Sequence, residues 1–221
     1  MSVWDILVNY HVAFLKGLAV TMQLCALIWT SGIVLGATLG WAGAHWKMSV
    51  GIPTRAISFL LGGIPILVFL FWLHYPAQAM FNLVIDPFYT AALTLSVINI
   101  FAVADMVRGT LLDFPQQYLT AAKVTGLNRQ QTIFQIQLPL ILRQIIPGLL
   151  LLQTAMLHTT LFASLISVEE IFRVAQRINA QIYRPVEIYT ALGVFFLAVC
   201  LPVNGVAFYL RHKYTRNLSE H

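Results

Sequence analysis

Charge is what this sequence has least of. Only 10% of its 221 residues are Asp, Glu, Lys or Arg, against roughly 25% in soluble domains. So few charges cannot cover a globular surface, which excludes a water-soluble fold. Cysteine is nearly absent: Cys25 and Cys200 each sit in an apolar run, without CxxC spacing or clustered histidines. No metal site is expected from them, and they read as packing residues. No GxxxxGK[ST] phosphate loop occurs, so the chain has no evident cradle for nucleotide phosphates. HExxH and GxSxG are missing too, and no pair of carboxylates is placed for chemistry, which leaves an intramembrane-enzyme reading with little support. The N-terminal MSVWDILVNYH lacks a basic segment ahead of an apolar core. No cleavable signal is expected, so the first apolar stretch should remain in the mature protein.

What is present in abundance is apolar sequence. Hydrophobic residues make up 59% of the chain, and its mean hydropathy is +0.78. The expectation is an all-α polytopic membrane protein, one domain over 1–221, lodged in a lipid bilayer. Five spans are expected at about 17–43, 56–75, 88–107, 145–166 and 188–210, each near the roughly 20 residues a bilayer needs. The net charge of +5 then reports orientation, with no nucleic-acid partner implied. Lys47, Arg55, Arg108, Lys123, Arg129, Arg143, Arg211, Lys213 and Arg216 fall on one side, while Lys16, Arg173, Arg177 and Arg184 fall on the other. The positive-inside rule puts the larger group in the cytoplasm, so the N-terminus is expected outside and the C-terminus inside.

Two stretches outside the spans have patterns of their own. Ile171, Val174, Ala175 and Ile178 recur at helical spacing among charged residues, which predicts an amphipathic helix on the outer face. It either caps the bundle or forms a gate or docking site. On the inner side, a polar loop of about 109–142 separates two spans. Gln116 to Thr125 reads as a short helix, and Gly126 suits the left-handed residue that ends one. Asn128 can cap a second helix over Arg129 to Gln137, and Pro139 fits the first turn of the helix that re-enters the membrane. A folded cytoplasmic knob of this kind is a means of touching a partner.

Thr120-Ala121-Ala122, with Gly126 and Leu138-Pro139, resembles the EAA loop in permease subunits of bacterial ABC importers, with Thr120 where the family usually has glutamate. Other segments resemble the polar-amino-acid permeases in the same order. Gly63-Ile64-Pro65-Ile66-Leu67-Val68 is similar to their RGTPLLV segment, and Ala104-Asp105-Met106-Val107-Arg108-Gly109 to AEIFRG. His158-Thr159-Thr160-Leu161 is similar to KNTSL, and Arg184-Pro185-Val186-Glu187-Ile188-Tyr189 to RPFELY. The resemblance, of the histidine/glutamine permease type, implies a subunit in the bacterial inner membrane that imports a polar amino acid, basic ones included. It implies a cytoplasmic ABC ATPase dimer that binds ATP and Mg and seats the loop through Thr120, Ala121, Ala122, Gly126, Leu138 and Pro139. It also implies a second permease subunit, identical or paralogous, and a substrate-binding protein outside.

Polar residues within the spans are the candidates for a substrate path, because lipid does not accept them cheaply. They are Asp105, Gln153, His158, Thr159, Thr160 and Ser164. Asp105 can equally pair with Arg108, and the others can equally bond between helices. An ion- or proton-coupled secondary transporter or channel using Asp105 and His158 is the competing reading. Against it stands the lack of an evident broken, repeated helix pair in the sequence.

Overall fold

The computed structural model describes residues 2–219, and every regular element among them is helical. Helix α1 runs Val3–His45. It begins well before the expected span because Ser2 and Asp5 form a reciprocal capping box, each side chain accepting the other's N–H. At 1.5 Å per residue it is about 65 Å long, twice the hydrocarbon thickness.

The stretch expected as one span over 56–75 is two helices. Helix α2 (Lys47–Gly63) and helix α3 (Ile66–Met80) meet at a bend of 99°. Gly62 and Gly63 weaken the helix, and Pro65 forces its predecessor out of helical geometry: Ile64 is extended at φ −101°, ψ 125°. This also removes the expectation of unbroken spans. Among the described residues four helices are long and apolar enough to cross a membrane, five with the bent pair. After α3, Gln78 folds the chain back, its amide donating to Thr90 Oγ1 at 3.0 Å and accepting from Ile85 N at 2.8 Å.

Helix α4 (Pro87–Leu112) is capped by Asp86, whose carboxylate accepts the Phe88 N–H. It lies along α1 at the glycine stripe. A Cβ on Gly36 would sit 2.7 Å from the Ile100 carbonyl oxygen, and one on Gly40 2.5 Å from that of Ala104. Gly32, Gly36 and Gly40, one every fourth residue, therefore form a stripe that serves packing within the subunit. Helix α5 (Gln116–Val124) leads to helix α6 (Arg129–Ile166). Helix α7 (Ile171–Ile182) and helix α8 (Pro185–Ser219) complete the chain.

Leu24, Ile28, Leu70, Leu95, Met156 and Ile166 join α1, α3, α4 and α6 in one core. A second cluster seats α7: Ile171, Val174, Ala175 and Ile178 pack on Ile6, Ile188 and Leu192. These are the four residues the periodicity picks out, so the face is spent on α1 and α8. Large apolar side chains remain exposed on α2 and α8, among them Phe59, Leu60, Leu197, Leu201 and Phe208, as lipid or a neighbouring subunit requires.

Candidate functional site

The inner knob is built as two short pieces around a glycine. Helix α5 ends in a Schellman closure: Leu127 N donates to Ala122 O at 3.0 Å and Gly126 N to Lys123 O at 3.1 Å. Gly126 takes φ +75°, where a side chain is strained. Asn128 then opens α6 in a capping box with Gln131, at 2.8 and 2.9 Å. The expected separate helix over 129–137 does not exist as such. A wide π-helical turn over Thr132–Gln137 runs directly into Leu138 and Pro139. The result is one continuous helix, Arg129–Ile166, from the knob through the bundle.

Thr120 and Ala121 are exposed on α5, with Thr120 Oγ1 bonded back to the Gln116 carbonyl. Ala122 is turned inward at 1% exposure. Its smallness lets α5 lie close on the bundle. Leu138 is 41% exposed and Pro139 half-buried. Sequence reasoning missed two larger exposed apolar side chains, Val124 at 83% and Phe134 at 65% exposure. Their signal was available: apolar side chains in a segment that leaves the membrane.

The expected path residues are not gathered around one path within the subunit. Gln153 is buried in a reciprocal amide pair with Asn99, at 3.0 and 3.3 Å. Asn99 Nδ2 also donates to Ile28 O at 2.8 Å, and Trp29 Nε1 donates to Gln153 O at 3.1 Å. This seam ties α1, α4 and α6 together. Asn99 went unremarked, though an asparagine inside an apolar span is itself a flag. Thr160 and Ser164 are fully buried and bond to carbonyls one turn back, as does Thr159. His158 faces the last helix, with Nε2 3.2 Å from Cys200 Sγ and its ring against Phe196.

Asp105 stands apart. It is half-exposed and pairs with Arg108 at 3.0 Å. On the same face of α4, one and two turns back, Ile98, Phe101 and Ala102 line a cleft of about 460 Å³. Its other wall is the break itself, Ser58 and Gly62 to Ile66. Irregular backbone at membrane depth is tolerated where protein buries it or where it lines a wet cavity. The cleft, with Asp105 beyond one end, is the concave polar-edged feature that the broken helix creates.

At the opposite end, Glu170 caps α7. Its carboxylate is 0% exposed and accepts the N–H groups of Phe172 and Arg173 at 2.9 and 2.7 Å. Burial pushes its pKa up to about 7, against those two bonds, and the charge of Glu169 adds to the rise.

Comparison with known proteins places this architecture. The chain is 29% identical over 193 residues to the glutamine transport system permease protein GlnP of Escherichia coli, covering 87% of this chain and 88% of that one. It is 26% identical to the histidine/lysine/arginine/ornithine transport system permease protein HisQ of Escherichia coli, covering 95% and 96%. It is 27% identical to the octopine transport system permease protein OccM of Rhizobium radiobacter, covering 84% and 79%. A crystal structure of an amino acid ABC transporter with histidines shares the fold at a TM-score of 0.79 and 22% identity, covering 93% and 96% of the two chains. The MetNI methionine ABC transporter, inward facing, matches at 0.70 and 16%, covering 93% and 98%. The model of the binding-protein-dependent transport system inner membrane component matches residues 32–216, so the chain belongs to that family of membrane-spanning transport subunits.

Proposed function

We propose that this chain is the permease subunit of an ABC importer that carries a polar amino acid, basic ones included, across the bacterial inner membrane. The observation that carries the reading is the unbroken helix α6, which begins in the exposed knob and reaches the far end of the bundle. A displacement at its outset is, in this reading, passed along the continuous helix. In this reading a cytoplasmic ATPase dimer binds ATP and Mg and grips α5, the Gly126 turn and the exposed Val124 and Phe134. A second permease subunit completes the path, and a substrate-binding protein delivers substrate to the α7 side. The N-terminus lies outside. Nucleotide binding works only by favouring one of the two conformations over the other. Substrate passes the cleft at the broken span with Asp105 toward its edge, while Gln153, through Asn99, ties α6 to α4, the helix that forms one wall of it.

The test is uptake driven by ATP in proteoliposomes holding the purified complex. Val124→Asp with Phe134→Asp puts two charges on the gripping surface, and uptake is expected to fall by more than about tenfold, each buried unpaired charge costing well over 1.4 kcal/mol. Undiminished ATP-driven uptake overturns the coupling reading. The bent pair α2–α3 favours a second reading, since secondary transporters also use discontinuous helices. Uptake that collapses with an uncoupler yet persists without ATP selects it.

A further inference from the structure

Helix α7 runs antiparallel to the first half of α1. Ile171 N donates to Thr21 Oγ1 at 3.2 Å, Val174 closes on Gly17, and Ile178 reaches Ile6. A Cβ on Gly17 would lie 2.8 Å from Val174 Cγ2, so the seam is tight there. Beside it, at the end of the bundle opposite the knob, a cleft of about 580 Å³ opens, a size that suits a small molecule. Asn9, Ala13, Lys16 and Val20 form its α1 wall, and Glu169 and Arg177 belong to the other. Those four recur at i, i+4, i+7 and i+11, on one face of the helix. The large exposed side chains of this half, Trp4, Val8 and Leu15, lie about a third of a turn round from it. The wall of the cleft is therefore not the face that this half of α1 gives to lipid.

Three charges line the cleft. Arg177 Nη1 bonds Glu169 Oε2 at 2.8 Å, with both side chains about half exposed. Lys16 makes no hydrogen bond or ion pair with any described residue. The neighbouring Glu170 carboxylate is spent on the N–H groups of Phe172 and Arg173. The cleft thus presents one uncompensated ammonium, from Lys16, beside a compensated ion pair.

We infer that this cleft binds a small water-soluble zwitterion of the α-amino-acid type, its carboxylate taken by Lys16 and its ammonium by Glu169. The signs require both ends. A plain cation meets Lys16 and Arg177, and a plain anion leaves Glu169 unused. An ion pair this exposed contributes little, so an ammonium entering beside Arg177 displaces little. The site is separate from the cleft at the broken span, and the amino-acid class rests on the permease reading above.

The experiment is ligand protection of a cysteine in the purified, detergent-solubilised full-length protein. Val12→Cys, in a background lacking Cys25 and Cys200, puts a thiol at the exposed edge of the cleft, and its reaction with N-ethylmaleimide is timed. The probes are L-glutamine and L-arginine, each with its α-amide, which lacks the carboxylate, and its Nα-acetyl derivative, which lacks the ammonium. At least one of the two amino acids is expected to slow the reaction saturably. Its derivatives should need at least about tenfold higher concentration, the scale of losing one hydrogen bond to a charged group. Lys16→Gln should raise the half-protecting concentration by about tenfold; Lys16 is exposed and bonded to no described residue, so the fold does not depend on it. Glu169→Gln should erase the preference over the Nα-acetyl derivative. A thiol from Val84→Cys, on the 99% exposed loop residue, should react at an unchanged rate. No protection by either amino acid, equal protection by the derivatives, an unchanged Lys16→Gln, or equal protection at Val84 overturns the site. The assay needs neither ATP nor a partner, so the two readings fail separately. Lost protection with intact ATP-driven uptake sinks this site alone, and protection without ATP-driven uptake sinks the coupling alone.

Discussion

Glu170 shows how one buried side chain can set a pH response. Its carboxyl is enclosed where α7 begins and still caps that helix through two backbone N–H groups. Burial raises the folded pKa from the ordinary 4.5 to about 7. The folded protein therefore holds the proton more tightly than the unfolded chain. Stability is highest below about pH 4.5 and falls as pH rises to about 7, by roughly 3 kcal/mol if this group acts alone. Melting of the solubilised protein should accordingly drop between pH 5 and pH 8. Glu170→Gln keeps one acceptor for the cap and cannot ionise, so its melting point should change less over that range. Parallel profiles for the two proteins would remove Glu170 from the account. The cap was within reach of the sequence, since a glutamate directly precedes an amphipathic run. Its burial was not, because the atoms that enclose it belong to helices far away in the chain.

At the scale of elements, the knob and the glycine stripe make opposite demands on glycine. Gly32, Gly36 and Gly40 are needed for room, since α4 lies where a Cβ would go. Gly126 has open space around it and is needed for its positive φ. Proline at Gly126 would fix φ near −65° and break the turn, whereas asparagine tolerates the left-handed region. Gly126→Pro should abolish uptake while the amount of protein in the membrane stays unchanged. Gly126→Asn should retain most of the transport. Full uptake by Gly126→Pro, set against membrane levels measured in parallel, would show that the turn has no coupling role. The Asn128 cap and the Gly126 stop are both written in local sequence, and both stand in the structure. The continuity of α6 through Thr132–Gln137 is not, because Pro139 reads equally as the start of a new helix.

For the molecule as a whole, orientation rests on the balance of Lys and Arg, and the structure gives it two exposed reporters. Val124 ends α5 and Tyr183 follows α7, each 83% exposed, beyond opposite ends of the 38-residue helix α6. With Cys25 and Cys200 replaced, a cysteine at Tyr183 should react with a membrane-impermeant maleimide in intact cells. A cysteine at Val124 should react only after the membrane is opened. The reverse pattern would invert the protein in the membrane and, with it, the side on which an ATPase can bind.

The sequence by itself determined what depends on neighbours along the chain. Sparse charge and long apolar runs force a membrane protein, because lipid and water sort residues by polarity. The spacing of Ile171, Val174, Ala175 and Ile178 fixed which face of α7 is buried, and Gly126 fixed where α5 stops. The tertiary structure alone decided what depends on partners remote in sequence. Asn99 meets Ile28 across 71 residues and Gln153 across 54, which makes Gln153 a tie between helices. The glycine stripe found its partner inside the subunit for the same reason. The break at Gly62–Pro65 belongs to both. Its residues disfavour a straight helix locally, but the size of the bend is set by the helices against which α2 and α3 come to rest.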